Sequence, residues 1–163
     1  MADSPQFRLA DPSDAELLLD FMRDYYAFDG HGYDREKARA ALVPLLENPN
    51  FGRAWIILDG DSPVGYAVLC FGYSLEWLGR DAFVDELYLI EAYRDRGWGR
   101  RTMAFLEHES RELGIRALHL GVVKGNHRAL CLYESVGFVR HDSTFLTKWI
   151  ATDLSKPTIG SKS

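Results

Sequence analysis

The sequence predicts an α+β domain with a mixed, mostly antiparallel sheet of six to seven strands and about four helices. Three observations predict it. Two β-branched and aromatic runs, RAWIIL (53–58) and PVGYAVLCFGY (63–73), are separated only by the tight-turn sequence DGDS, which makes an antiparallel hairpin. Segments on both sides of that hairpin carry apolar residues at helical spacing. Later, a helical stretch over 99–114 runs directly into the strand-like RALHLGVV (116–123), and strand, helix, strand is a parallel crossover.

QFRLA (6–10) reads as the first strand. DPSDAELLLDFMRDYYAF (11–28) follows with a proline after Asp11 and acids in its first turn, the start signals of a helix. DGHGY breaks it. DREKARAALVPLLEN (34–48) is a second helix, capped by Asp34 and stopped by NPNFG. After the hairpin and the loop SLEWLGRD, the run AFVDELYLI (82–90) extends the meander by one strand. The third helix, GRRTMAFLEHESRELG, ends at Gly114, and the fourth, NHRALCLYESVG (126–137), is capped by Asn126 and ended by Gly137. FVRH (138–141) and STFLTKWI (143–150) read as closing strands. Residues 1–150 therefore make one domain, and 151–163 a polar tail.

Composition excludes several classes of function. A chain of 163 residues buries roughly 70% of its unfolded surface, so it needs no metal or disulfide staple. No apolar run approaches the ~20 residues that span a bilayer, and the acidic start MADSPQFRLADPSD lacks the pattern of a secretory signal. A cytoplasmic protein is expected. Cys70 and Cys131 sit in apolar sequence without C-x-x-C spacing, as buried small hydrophobes of a reducing compartment would. The net charge of -5 argues against nucleic-acid binding, and the five histidines show no metal-ligand spacing.

Against that acidic background, LYLIEAYRDRGWGRRTM (87–103) concentrates Arg94, Arg96, Arg100 and Arg101 around Gly97 and Gly99. The arginines predict an anion. The glycines let backbone amides approach it, and the helix that follows offers unsatisfied N–H groups, so the segment reads as a phosphate cradle. It is not a P-loop, since no G-K-[ST] closes it, and Thr102 stands where a dinucleotide fingerprint would place its third glycine.

Arg94-x-x-Gly97-x-Gly99 after DELYL, followed by NHRALCLYESVGF (126–138), resembles the two signatures of the GNAT superfamily of N-acetyltransferases. The element order resembles that fold over nearly the whole chain. The resemblance implies acetyl-CoA as donor, its pyrophosphate on the amides of Arg94, Asp95, Arg96, Gly97, Trp98, Gly99 and Arg100, with Asn126 as a further contact. It places the pantetheine along Leu87, Tyr88 and Leu89, with the Leu89 N–H as oxyanion donor, and implies a homodimer. YSLEWLGRDAFVDELYL is similar to the diamine, polyamine and thialysine acetyltransferase branch. In that branch a fourth-strand carboxylate lies near the acceptor amine; the matching positions are Asp85 and Glu86, which strand alternation sends to opposite faces, with Leu87 and Leu89 on the Asp85 side.

The chemistry needs these types of residue. An amine of pKa roughly 10.4 is ammonium at neutral pH and must lose a proton before it attacks, so a carboxylate base, direct or through water, is required. The departing thiolate gains from a hydroxyl donor, and Tyr133 occupies the family position for it. Asp24, Asp29, Asp34, Glu76 and Asp81, interleaved with Tyr25, Tyr26, Tyr33 and Trp77, favour a small cationic amine as partner. A protein acceptor, and a catalytically silent acyl-CoA-binding module, are the alternatives.

Overall fold

The computed structural model describes residues 4–151. Five strands form one sheet whose spatial order is the chain order, β1 (Gln6–Leu9), β2 (Gly52–Asp59), β3 (Ser62–Ser74), β4 (Gly79–Leu89) and β5 (Ala117–His119). The first four are antiparallel neighbours; β5 joins β4 in parallel through the crossover. Four helices complete the domain, α1 (Ala15–Asp29), α2 (Arg35–Glu47), α3 (Trp98–Glu112) and α4 (His127–Ser135). No helix among the described residues is long and apolar enough to cross a membrane.

Alternation along the central strands gives the sheet two apolar faces. On one, Ile56, Tyr66, Val68 and Tyr88 pack against Leu18, Leu19, Phe21 and Met22 of α1 and Leu42 of α2. On the other, Trp55, Ala67, Leu69 and Val84 pack against Met103 and Leu106 of α3. The sheet is thus covered on both sides, and β4 is central enough to be shaped by both layers.

The sheet has fewer strands than the six to seven expected. FVRH and STFLTKWI form no strand, although their residues have the composition of one. A strand exists only against a partner edge, and β5 offers three residues; Val139, Phe145, Leu146 and Ile150 remain exposed. The cysteines also differ from expectation, since Cys70 is half-buried and Cys131 exposed. From residue 152 onward the predicted tail lies outside the described residues.

Two features of β4 position the site. Its pairing with β5 covers only Asp81 to Phe83, so beyond Phe83 the edge of β4 on that side is open. The second is a β-bulge. Val68 of β3 faces Glu86 and the next residue, Leu69, faces Val84, which leaves Asp85 as an extra residue in β4.

Candidate active site

The open edge of β4 and the start of α4 are the walls of a cleft of about 360 Å³. Leu87, Tyr88 and Leu89 form one side of it, and Ala129, Leu132 and Tyr133 the other. Ile90 N–H donates to Val64 O at 2.9 Å across the β3 edge, so by alternation the Leu89 N–H points to the open edge. Tyr25 and Phe28, from the last turns of α1, also line it, two residues that no sequence signal assigns to the donor side.

The arginine and glycine segment completes the lining. Gly97 caps α3 in the left-handed region, at φ 78°, and no side chain caps that terminus, so the first amides of α3 are left for a ligand. A Cβ at Gly99 would come within 3.2 Å of Leu132 Cδ2, which fixes how closely α3 and α4 approach. Gly97, Gly99, Arg94, Asp95, Arg100 and Asn126 all line the cleft. A pyrophosphate fits this donor set: uncapped helix amides, a positive dipole end and cations.

The four arginines do not act together. Arg94 donates from Nε to Leu89 O at 2.8 Å and stacks on Phe28 at 4.1 Å, and Arg100 reaches Ser135 Oγ at 2.7 Å beside the cleft. Arg96 lies over the Tyr93 ring and donates to Ala92 O, and Arg101 donates to Ser4 Oγ. Neither of those lines the cleft. Trp98 has its side chain in the core, 1% exposed, edge-on to Tyr93 and packed with Ile57, Val64 and Leu89. Only its backbone amide is placed for a ligand. Asn126 accepts from Ala129 N–H at 3.1 Å, so it caps α4 while it lines the cleft. Arg128, which sequence reasoning missed, also lines it and pairs with Asp95. Its signal was its place two residues after Asn126, on the first turn of α4.

The bulge corrects the expectation for the two acids. Glu86 faces the α1 side, where it accepts from Tyr26 Oη at 2.5 Å and from Tyr66 Oη at 2.7 Å. Asp85 faces the same side, because the extra residue cancels one step of alternation, and there it lies near enough to the Cys70 thiol for each to act on the other's proton affinity. Leu87 and Leu89 belong to the opposite face. Burial pushes the Glu86 carboxyl above its ordinary range, against the two phenols that hold its ionised form. Asp85 keeps solvent access yet is crowded enough by protein to be raised too, against the opposing influence of the Cys70 thiol. The Cys70 thiol, by burial and by these acids, is pushed up to about 12.

Neither acid lines the cleft; Tyr25, which does, packs against Tyr26, whose hydroxyl donates to Glu86. Burial raises the Tyr25 phenol, and Asp29, Glu86, Tyr133 and Asp85 all act on it. Tyr133, its ring edge-on to Phe138, is raised by burial alone. Of the other acids expected near the acceptor, Asp29 pairs with His31 at 3.5 Å in this region. Asp34 caps α2, Asp24 pairs with Arg23, and Asp81 lies buried beside His119 at the far end of β4.

The sequence model of the acetyltransferase (GNAT) family matches residues 15–138 of the chain. An uncharacterized N-acetyltransferase of Bacillus subtilis, YycN, is 38% identical over 138 residues, 74% of this chain and 87% of that protein. A thialysine N-ε-acetyltransferase of Bos taurus is 32% identical over 79 residues, 48% of this chain and 46% of that protein. The crystal structure of an integron cassette protein from a salt-marsh metagenome superposes with a TM-score of 0.80 at 29% identity, over 90% of this chain and 91% of that one.

Proposed function

Because the chain belongs to the GNAT family and is an acetyl-CoA-dependent N-acetyltransferase, we propose that it acts as a single domain on a small cationic primary amine, polyamine-like or lysine-like, by direct attack in a ternary complex. One observation carries the reading: Tyr25 and Tyr133 line the same cleft, and Tyr25 packs at 5.6 Å against Tyr26, whose hydroxyl donates to the Glu86 carboxylate of β4. The name of the bovine relative, a thialysine acetyltransferase, supports a lysine-like amine.

Acetyl-CoA supplies the activated acetyl thioester. The amides of Gly97 to Arg100, with Arg100 and Asn126, would hold its phosphates, and the cleft wall from Leu87 to Leu89 its pantetheine. At the acceptor end the ammonium is drawn by the Asp85 and Glu86 carboxylates and by the faces of Tyr25 and Tyr26. Asp85, the more open acid, takes the amine's proton, directly or through water. Its raised proton affinity brings it closer to the amine than an ordinary aspartate would be. Tyr133, held protonated by burial, gives a proton to the departing sulfur.

Thiol release from acetyl-CoA by the purified protein, with a panel of diamines, lysine analogues, amino acids, aminoglycosides and peptides, tests the reading. Cationic small amines are expected to give the highest kcat/KM, and their KM to rise with salt. Asp85→Asn should lower kcat/KM for these amines and remove or shift the acidic limb of the pH profile. A best acceptor that is neutral, with Asp85→Asn inert, overturns the cationic reading. A cytoplasmic homodimer belongs to the same proposal. The free Cys70 and Cys131 support the location, the exposed apolar residues between Val139 and Ile150 support the dimer, and sedimentation at two concentrations tests the latter.

A further inference from the structure

Glu86 is the most heavily tethered acid near the site. Both of its carboxyl oxygens accept a phenol, from two different elements: Tyr26 in α1 at 2.5 Å and Tyr66 in β3 at 2.7 Å. Tyr66 is 1% exposed and stands opposite Tyr88 in the sheet, so its hydroxyl has a fixed position. Tyr26 is set by aromatic contacts with Tyr25, His31 and Tyr33. Asp85, by contrast, is exposed and accepts no such pair of side-chain donors among the described residues, with the weakly polar Cys70 thiol as its neighbour. Two adjacent carboxyls on one face therefore differ in freedom: one is held at both oxygens, the other is left able to move.

We propose that Tyr26 is a positioning residue that, with Tyr66, holds the Glu86 carboxylate as a fixed anion at the β4 bulge, and that this anion selects alkylammonium acceptors over uncharged amines. The inference rests on the acetyltransferase reading above. An anion pinned in place loses little freedom when a cation arrives, whereas a free carboxylate must be ordered at that moment. Because Tyr26 belongs to the last turns of α1, the same hydrogen bond ties the helix whose Tyr25 lines the cleft to the strand that carries the acids. Asp85 on β4, Tyr66 and Cys70 on β3, and Tyr25 and Tyr26 on α1 are the titratable groups that face Glu86, with the Asp29 and His31 pair at the end of α1.

A double-mutant cycle of Tyr26→Phe and Glu86→Gln decides it. With a diaminoalkane as acceptor, Tyr26→Phe should raise the amine KM about tenfold, the worth of a hydrogen bond to a charged group, and leave acetyl-CoA affinity unchanged. With an arylamine that is uncharged at pH 7, the rise in KM should be several-fold smaller than with the diaminoalkane. The acidic limb of kcat/KM should move to higher pH in Tyr26→Phe, because the ionised form of Glu86 loses a donor, and Tyr66→Phe should move it the same way. In the Glu86→Gln background, Tyr26→Phe should have no further effect. Additive losses, or an equal loss with the arylamine, overturn the clamp while cationic amines remain substrates. A wild-type enzyme that acetylates no cationic amine overturns the acceptor reading and the clamp together.

Discussion

Burial raises the Tyr133 phenol above its ordinary value with no charged partner among the causes, so at neutral pH the side chain keeps its proton. Replacing it with phenylalanine should lower kcat by about 10²-fold and leave acetyl-CoA affinity intact, since the ring still lines the cleft. Steady-state kinetics with calorimetry on the same variant checks both halves. Asp85 has a cost that can be measured separately. Its folded pKa lies above its unfolded value, so between the two the native state binds more protons and stability falls as pH rises; above the folded pKa the penalty is complete. Asp85→Asn should accordingly raise Tm at neutral pH and gain little at pH 3, while it lowers activity. At this scale the sequence was informative. Tyr133, Arg94, Gly97, Gly99 and Asn126 sit in spaced signatures and all line one cleft. Trp98 and Arg96 share the same stretch of sequence but point their side chains elsewhere, because nothing in the spacing of residues on a turn says which way each one faces.

Elements were legible where their signals were periodic, and least so where a strand broke its own period. The apolar pattern located β4 to within a few residues, but the bulge at Asp85 has no glycine or proline to announce it. It arises from pairing with β3, which a single strand cannot reveal, and so the two acids were placed on opposite faces. The two glycines before and within α3 make a second test of element geometry. A side chain at Gly97 would meet nothing within 4 Å, so Gly97→Ala costs only left-handed strain, about 1 kcal/mol of stability by denaturant titration. At Gly99 the situation is reversed. Alanine there gains helix propensity but presses on Leu132 in the cleft wall, so Gly99→Ala should leave stability nearly unchanged and weaken acetyl-CoA more than Gly97→Ala does. Calorimetric titration of the two variants side by side separates the effects.

For the molecule as a whole, the α+β class and the order of β1 through β5 could be read from hairpin, helix and crossover signals. The closing strands could not, because composition shows that a segment is able to pair without showing an edge long enough to receive it, and β5 is three residues long. The agreement of spatial order with chain order also bears on how the protein comes into being. Each of β2, β3 and β4 pairs with the strand made just before it, so that part of the sheet is complete once Leu89 has emerged during synthesis. The cleft, in contrast, joins β4 to α4, some forty residues later, and needs the crossover to have closed. Pulsed hydrogen exchange during refolding should therefore find the β2, β3 and β4 amides protected before those of α4. A nascent chain should then pair its central strands before it can bind acetyl-CoA, because the donor cleft waits on a helix made after them.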